Sequence, residues 1–290
     1  MSTLTVAEAG ALTTVQDQGR VGLAHLGVPR AGALDRPAAD LANRLVGNPA
    51  DAAVLEVLLG GLVGRFSEGR WVVVTGAPCP VTVDGGPAAH GEAVWVAPGA
   101  ELRLGPPASG VRCYVAVAGG VDVEPVLGSR STDTLAWVGP DRVEDGAELS
   151  IGAPAGEPQP HDTPRPRPTG PLRISPGPRD DWFDGDAVDR LCAAPYAVTA
   201  DSNRIGLRLE GAELSRTQDG ELASEGMVLG SVQVPPSGQP VVFLADHPPT
   251  GGYPVVGVVR AEDLWQCAQL RPGDEVRFTL DPQAPADATR

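Results

Sequence analysis

The stretch FLADHPPTGGYPVVGVV, residues 243–259, sets Asp246, His247, Thr250, Gly251, Gly252 and Tyr253 between two apolar runs. A hairpin connection takes about two to five residues, and this one is longer. Adjacent glycines offer backbone N–H groups suited to an anion or a developing oxyanion. Two other loops concentrate polar heads. TTVQDQGRVGLAHLGVPRAGALD, residues 13–35, carries Gln16, Asp17, Arg20, Arg30 and Asp35 among glycines. TADSNRIGLRLEG, residues 199–211, carries Ser202, Asn203 and Arg204. A guanidinium there suits a carboxylate or phosphate, because its planar fork donates two parallel bonds. The competing account for each loop is a local turn network. It suits isolated Asp, Asn and Ser, but it explains the long connection before Tyr253 poorly.

Other chemistries find little support. Only His25, His90, His161 and His247 occur, and no pair has metal-ligand spacing, so no metal site made of protein ligands is expected. No GxSxG elbow is present for Ser-His-Asp hydrolysis. All 22 basic residues are Arg. Without Lys, this chain has no P-loop lysine, no Schiff-base amine and no lysine to carry biotin. Cys79, Cys113, Cys192 and Cys267 lack CxxC spacing and lie among apolar or small neighbours, which predicts buried thiols rather than zinc or a disulfide framework.

The bulk composition narrows the partners. A net charge of -15 repels a nucleic-acid backbone, and no apolar run reaches membrane-spanning length. The N-terminus lacks a basic start and apolar stretch, so a cytoplasmic protein is expected. With 42% hydrophobic but only 4% aromatic residues, aliphatic side chains have to fill the core.

The elements that position the loops are mostly short strands. RWVVVTG (70–76), PVTVDG (80–85), AVWVAPG (93–99), RCYVAVAGG (112–120) and PVVFLAD (240–246) are rich in Val and end in Gly, Pro or Asp. Gly turns also precede alternating runs at Leu102-Arg103-Leu104 and Val276-Arg277-Phe278. Helices are few. Asp35 is an N-cap candidate with Pro37 in the first turn, Ala38, Leu41, Ala42 and Leu45 as the apolar stripe, and Gly47 as the stop. A second helix is expected from Asp186 to Ala193, with Val188 and Leu191 inward. The Pro-rich segment 156–170 reads as a linker between an N-terminal β domain (1–155) and a C-terminal one (171–290).

These segments, taken together, resemble the biotin-dependent carboxyltransferase-like family, which includes the C-type component of 5-oxoprolinase, allophanate hydrolase subunit 2 and the KipA type. The resemblance runs through residues 13–49, VAVAGGVDVEPVLGSRSTD (115–133), PGPRDDWF (176–183), SNRIGLRLEG (202–211) and residues 221–259. It implies a mainly β fold of two cyclophilin-like β-barrel domains with a few short helices. It further implies one part of a hetero-oligomer, inactive alone, that joins a smaller KipI-type component and a third, A-type component to open 5-oxoproline to L-glutamate. ATP, with Mg, would be used by the assembled complex, and no biotin would be attached to this chain. A carboxyltransferase of urea-type amide metabolism using biotin in trans, and a KipA-like regulator that binds a kinase inhibitor, are the alternatives. For lactam opening, Asp246, Glu225 or Asp35 would act as acid/base or nucleotide ligand. Arg204, with Ser202 and Asn203, would grip substrate or nucleotide. Thr250, Gly251, Gly252, Tyr253, Gln16 and Asp17 would complete the site. Family members often carry a different residue where His247 stands, so the resemblance gives His247 no role.

Overall fold

Helix α1 (Arg36–Val46) starts and stops where its residue types require. The Asp35 carboxylate accepts the Ala38 N–H at 3.1 Å, Pro37 occupies the first turn, and Gly47 ends the helix at φ 83°. That glycine is also a close approach, since a Cβ there would lie 2.5 Å from the Glu157 carbonyl oxygen. The buried stripe is Ala39, Ala42, Asn43, Leu45 and Val46, with Ala38 and Leu41 half-buried beside it. The expected stripe is thus displaced by about one residue. The computed structural model describes residues 2–159, 169–218, 220 and 222–283.

Contacts divide the chain into two compact units. The first comprises Met1–Val21, Ala31–Asp133 and Trp137–Pro166, and the second comprises Gly22–Arg30, Thr134–Ala136 and Arg167–Arg290. The division is not contiguous in sequence. Of the segment expected as a linker, residues 160–168 lie outside the described residues. The described residues before it are tied down, with the Gln159 N–H donating to the Leu45 carbonyl at 2.9 Å.

The first unit pairs two antiparallel sheets. One is ordered Glu148–Ile151, Ser2–Glu8, Val63–Phe66, Glu101–Leu104, Val81–Val83, Gly86–Ala88. The other is ordered Leu12–Gln16, Val54–Leu58, Arg112–Val117, Arg70–Gly76, Val94–Val96. Leu4, Val6, Phe66, Leu102 and Leu104 from the first sheet share a core with Leu55, Val72, Val74, Cys113, Val115 and Val117 from the second. The intervening residues Val73, Tyr114 and Ala116 point the other way, into a core closed by α1. Period-two alternation thus explains why RCYVAV is apolar throughout, because both faces of its strand are covered. Each fully buried Val or Leu contributes about 1.5–3 kcal/mol. Alternation also appears as expected at Leu102-Arg103-Leu104, where only the arginine is exposed.

The second unit is built on eight strands, ordered Glu275–Val276, Tyr196–Val198, Gly206–Glu210, Val241–Phe243, Ser231–Gln233, Val255–Val259, Leu172–Pro176, Phe278–Leu280. Its two edge strands are separated in the chain by Arg277 alone, so the sheet has to curl back on itself into a nearly closed barrel. Phe278–Leu280 pairs in parallel with Leu172–Pro176, while the other strand pairs of this sheet are antiparallel. Helix α2 (Ala187–Ala193) buries Ala187 and Leu191, and Val188 is half-buried. The inward face therefore begins one residue earlier than expected. A third helix, α3 (Leu264–Cys267), is a single turn. The fold is mainly β with few short helices, and among the described residues no helix is long and apolar enough to cross a membrane.

Candidate functional site

In the second unit, Arg204 and Asp246 form a buried bidentate pair. Arg204 Nε donates to Asp246 Oδ2 at 2.8 Å and Nη2 to Oδ1 at 2.9 Å, with the two side chains 2% and 0% exposed. The backbone adds a third link, from the Asp246 N–H to the Arg204 carbonyl at 3.1 Å. Thr134 donates both its N–H (2.9 Å) and its hydroxyl (2.7 Å) to Asp246 Oδ2. Asp246 is thereby saturated with donors, which offsets its burial. Arg204 is expected as a grip for substrate, yet its fork is taken up by Asp246. The pair orders the start of the 246–253 connection.

His247 follows directly. Its ring stacks on Phe243 with centroids 5.7 Å apart and planes 7° from parallel. Nδ1 lies 2.8 Å from the Pro248 carbonyl, which assigns the ring proton to Nδ1. Burial pushes the His247 pKa down, the Pro248 and Asp246 contacts raise it less, and the Arg30 charge lowers it further. The imidazole is held neutral.

The remainder of this loop forms a small ribbon. Thr250–Gly251 pairs antiparallel with Glu225–Gly226, placing Glu225 opposite Gly251. Arg179 grips both Glu225 carboxylate oxygens. Gly251 serves a close approach, because a Cβ would lie 2.8 Å from Gln233 Nε2 and 3.2 Å from Met227 Cγ. The same Gln233 amide donates to the Tyr253 carbonyl at 3.2 Å. Tyr253 itself is 39% exposed and Thr250 is exposed. Ser202 and Asn203 behave as turn residues. Asn203 Oδ1 accepts from the Ile205 and Gly206 N–H groups, and Ser202 Oγ accepts from Arg208 N–H.

Gln16, Asp17 and Asp35 belong to the first unit. Asp17 Oδ1 accepts from Gly19 N–H, Ser129 Oγ and Ser131 Oγ at 2.8, 2.5 and 2.6 Å, and Oδ2 accepts from Arg130 N–H at 2.6 Å. Burial alone would raise its pKa, but these donors outweigh burial and lower it. Arg20 runs alongside, donating to the Val126 and Ser131 carbonyls at 3.0 and 2.6 Å. Gln16 Nε2 donates to the Thr132 carbonyl at 2.9 Å. Asp35 is 5% exposed and caps α1, while its N–H donates to Tyr114 Oη at 2.7 Å. Tyr114 Oη in turn donates to Glu56 Oε2 at 2.8 Å.

The structure therefore brings together Arg204, Asp246 and Thr134 in one cluster, and Glu225, Gly251 and Arg179 in another. Sequence reasoning misses Thr134, Arg179 and Gln233. Each acts through a contact distant in the chain, and no local pattern marks it. Among the described residues, no group of three His, Cys, Asp or Glu side chains could hold a metal ion.

The model of the carboxyltransferase domain, subdomain A and B, matches residues 26–280. The chain is 39% identical over 279 residues to the C subunit of 5-oxoprolinase from Escherichia coli (strain K12), covering 95% of this chain and 90% of that one. It is 31% identical over 302 residues to urea amidolyase of Saccharomyces cerevisiae, covering 93% of this chain but 16% of that protein. Among solved structures, TTHA0988 superposes with a TM-score of 0.87 at 38% identity, covering 96% of this chain and 55% of that one. Kluyveromyces lactis urea carboxylase superposes with a TM-score of 0.86 at 29% identity, covering 95% of this chain and 27% of that one. The chain thus spans about half of TTHA0988 and about a quarter of the urea carboxylase. It belongs to the carboxyltransferase domain family, subdomains A and B.

Proposed function

We propose that this chain is the C-type component of an ATP-dependent 5-oxoprolinase, acting in the cytoplasm with a smaller KipI-type component and an A-type component. The observation that carries this reading is the 39% identity to the E. coli protein over 90% of its length. The urea amidolyase match covers 16% of a much longer protein, at lower identity.

The lactam of 5-oxoproline is a resonance-stabilised amide, so its opening needs an activated carbonyl oxygen, a held substrate and an oriented water. ATP supplies the activation as a substrate of the assembly. Asp246 and Glu225 do not fit a magnesium site, because each is engaged by an arginine, and among the described residues no group of three His, Cys, Asp or Glu side chains could hold a metal ion. The second unit contributes positioning. Arg204 and Asp246 fix the root of the loop, the Arg179–Glu225 pair fixes its ribbon, and Thr250, Gly251, Gly252 and Tyr253 supply donors toward the substrate. Glu225, opposite Gly251, is the acid/base group nearest those donors in register. The chain has no lysine to reach nucleotide phosphates, and it is inactive without the other components.

The test is reconstitution with the purified KipI-type and A-type components, following glutamate released from 5-oxoproline. Turnover is expected only when all three proteins and ATP are present. Asp246→Asn, which keeps shape but removes the charge facing Arg204, should cut kcat at least about tenfold with the complex still assembled. No glutamate from any mixture would remove the reading. The likeness to urea carboxylase favours one rival, a carboxyltransferase using biotin in trans. Dependence on a biotinylated carrier, with inhibition by avidin, would establish it instead.

A further inference from the structure

Two tips of the first unit hold large apolar side chains out in solvent, on backbone that such residues disfavour. Val126 and Ser129 exchange N–H···O bonds of 2.9 and 3.2 Å across a two-residue hairpin. Its central residues are Leu127 and Gly128, at φ 52° and 81°. A turn left-handed at both positions ordinarily takes Asn-Gly or Asp-Gly, because a larger side chain crowds the backbone there. At the second tip, the Asp133 N–H donates to the Val138 carbonyl at 3.1 Å, and Trp137 has φ 55°. Leu127 is 51% exposed and Trp137 52%, so burial does not compensate the strain.

Arg20 ties the tips together. Its buried guanidinium donates to the Val126 carbonyl at 3.0 Å and to the Ser131 carbonyl at 2.6 Å. Gly139, two residues past Trp137, lies so near that a Cβ there would come within 2.4 Å of Arg20 Nη2. Burying a cation is costly, and here the fold uses one to fix two exposed tips. Val21, the next residue along, is 73% exposed. Glu124 and Asp141 flank the tips in sequence and are exposed, and among the described residues neither forms an ion pair.

We propose that Val21, Leu127 and Trp137 form the face on which the KipI-type component docks, entering an apolar pocket edged by Lys or Arg. The identity of that partner rests on the oxoprolinase reading. Strained tips of this kind persist where function uses them. A Trp presented by a rigid tip is the anchor type that dominates protein interfaces, and its preset backbone lowers the ordering cost of binding. The unpaired acids call for a basic rim on the partner. A second copy of this chain would instead bring the same acids and a net charge of -15, so like charge opposes self-pairing. This chain spans about half of TTHA0988, so that relative carries the same fold beside further polypeptide.

The test measures binding of the full-length chain to the purified KipI-type component by biolayer interferometry. Glycine suits both left-handed positions, so Leu127→Gly and Trp137→Gly remove the docking groups while relieving strain. Circular dichroism should show each variant folded, with Kd raised at least about tenfold. Glu124→Gln with Asp141→Asn, a surface change that leaves the tips intact, should slow association about threefold or more at low salt. That difference should vanish at high salt. Glycine variants that bind within about twofold of wild type would overturn the proposed face. Glutamate release by the reconstituted wild type would then leave the oxoprolinase reading standing. A wild type that does not bind the component at all would remove both. Wild-type dimers that the glycine variants lose would assign the face to a second copy and overturn the proposal.

Discussion

Arg204 and Asp246 illustrate what a buried ion pair does and does not contribute. Removing two charges from water costs several kcal/mol each, and the pair recovers that through its bidentate contact and the two Thr134 bonds. Truncating one partner leaves the other stranded. Arg204→Ala should therefore lower stability by about 3–5 kcal/mol, and the joint change of Arg204→Met with Asp246→Leu by much less. Urea unfolding of the wild type and these two variants measures both. His247 gives a second prediction at this scale. Its folded pKa lies below the ordinary 6.5 because burial, aided by Arg30, disfavours the charged ring. The stability it supports is complete above the unfolded value and is lost as pH falls through the folded value. Between pH 7.5 and 5 the melting temperature of the wild type should fall more steeply than that of His247→Asn.

Single elements carry their own dependencies. The start of α1 is anchored by Tyr114, whose hydroxyl accepts from Asp35 N–H and donates to Glu56. Burial, then the charges of Glu56 and Asp35, raise the Tyr114 pKa, which keeps the hydroxyl a donor. Tyr114→Phe removes both bonds, while Leu34 N–H and Arg112 still engage Glu56, and should cost about 1–3 kcal/mol, read from chemical unfolding. This helix is largely legible in the sequence, because Asp35, Pro37 and Gly47 act through neighbours within a turn. The Val-rich strands are legible for the same reason, since alternation is local. The candidate site is legible only as three loops. Asn203 and Ser202 resemble ligand residues in sequence but are consumed by their own turn. Thr134 and Arg179 look ordinary and yet hold the two carboxylates. Gly251 reads as a source of N–H donors, and the structure adds a second reason for glycine there, since a Cβ would meet Gln233 and Met227. Tertiary partners decide such roles, and residue type alone does not disclose them.

At the scale of the molecule, the second unit's edge strands have an implication for synthesis. Glu275–Val276 and Phe278–Leu280 flank one residue and occupy opposite margins of one sheet. The first unit needs nothing beyond Glu148–Ile151 to complete its two sheets. A ribosome therefore releases the first unit ready to fold while the second still waits for residues near 280. Such distant pairing is slow to form. Chains arrested with residue 270 just outside the exit tunnel should show a protease-resistant first unit and a readily digested second. Until those last strands emerge, Tyr196–Val198 and Leu172–Pro176 present open margins that chaperones have to shield from neighbouring nascent chains.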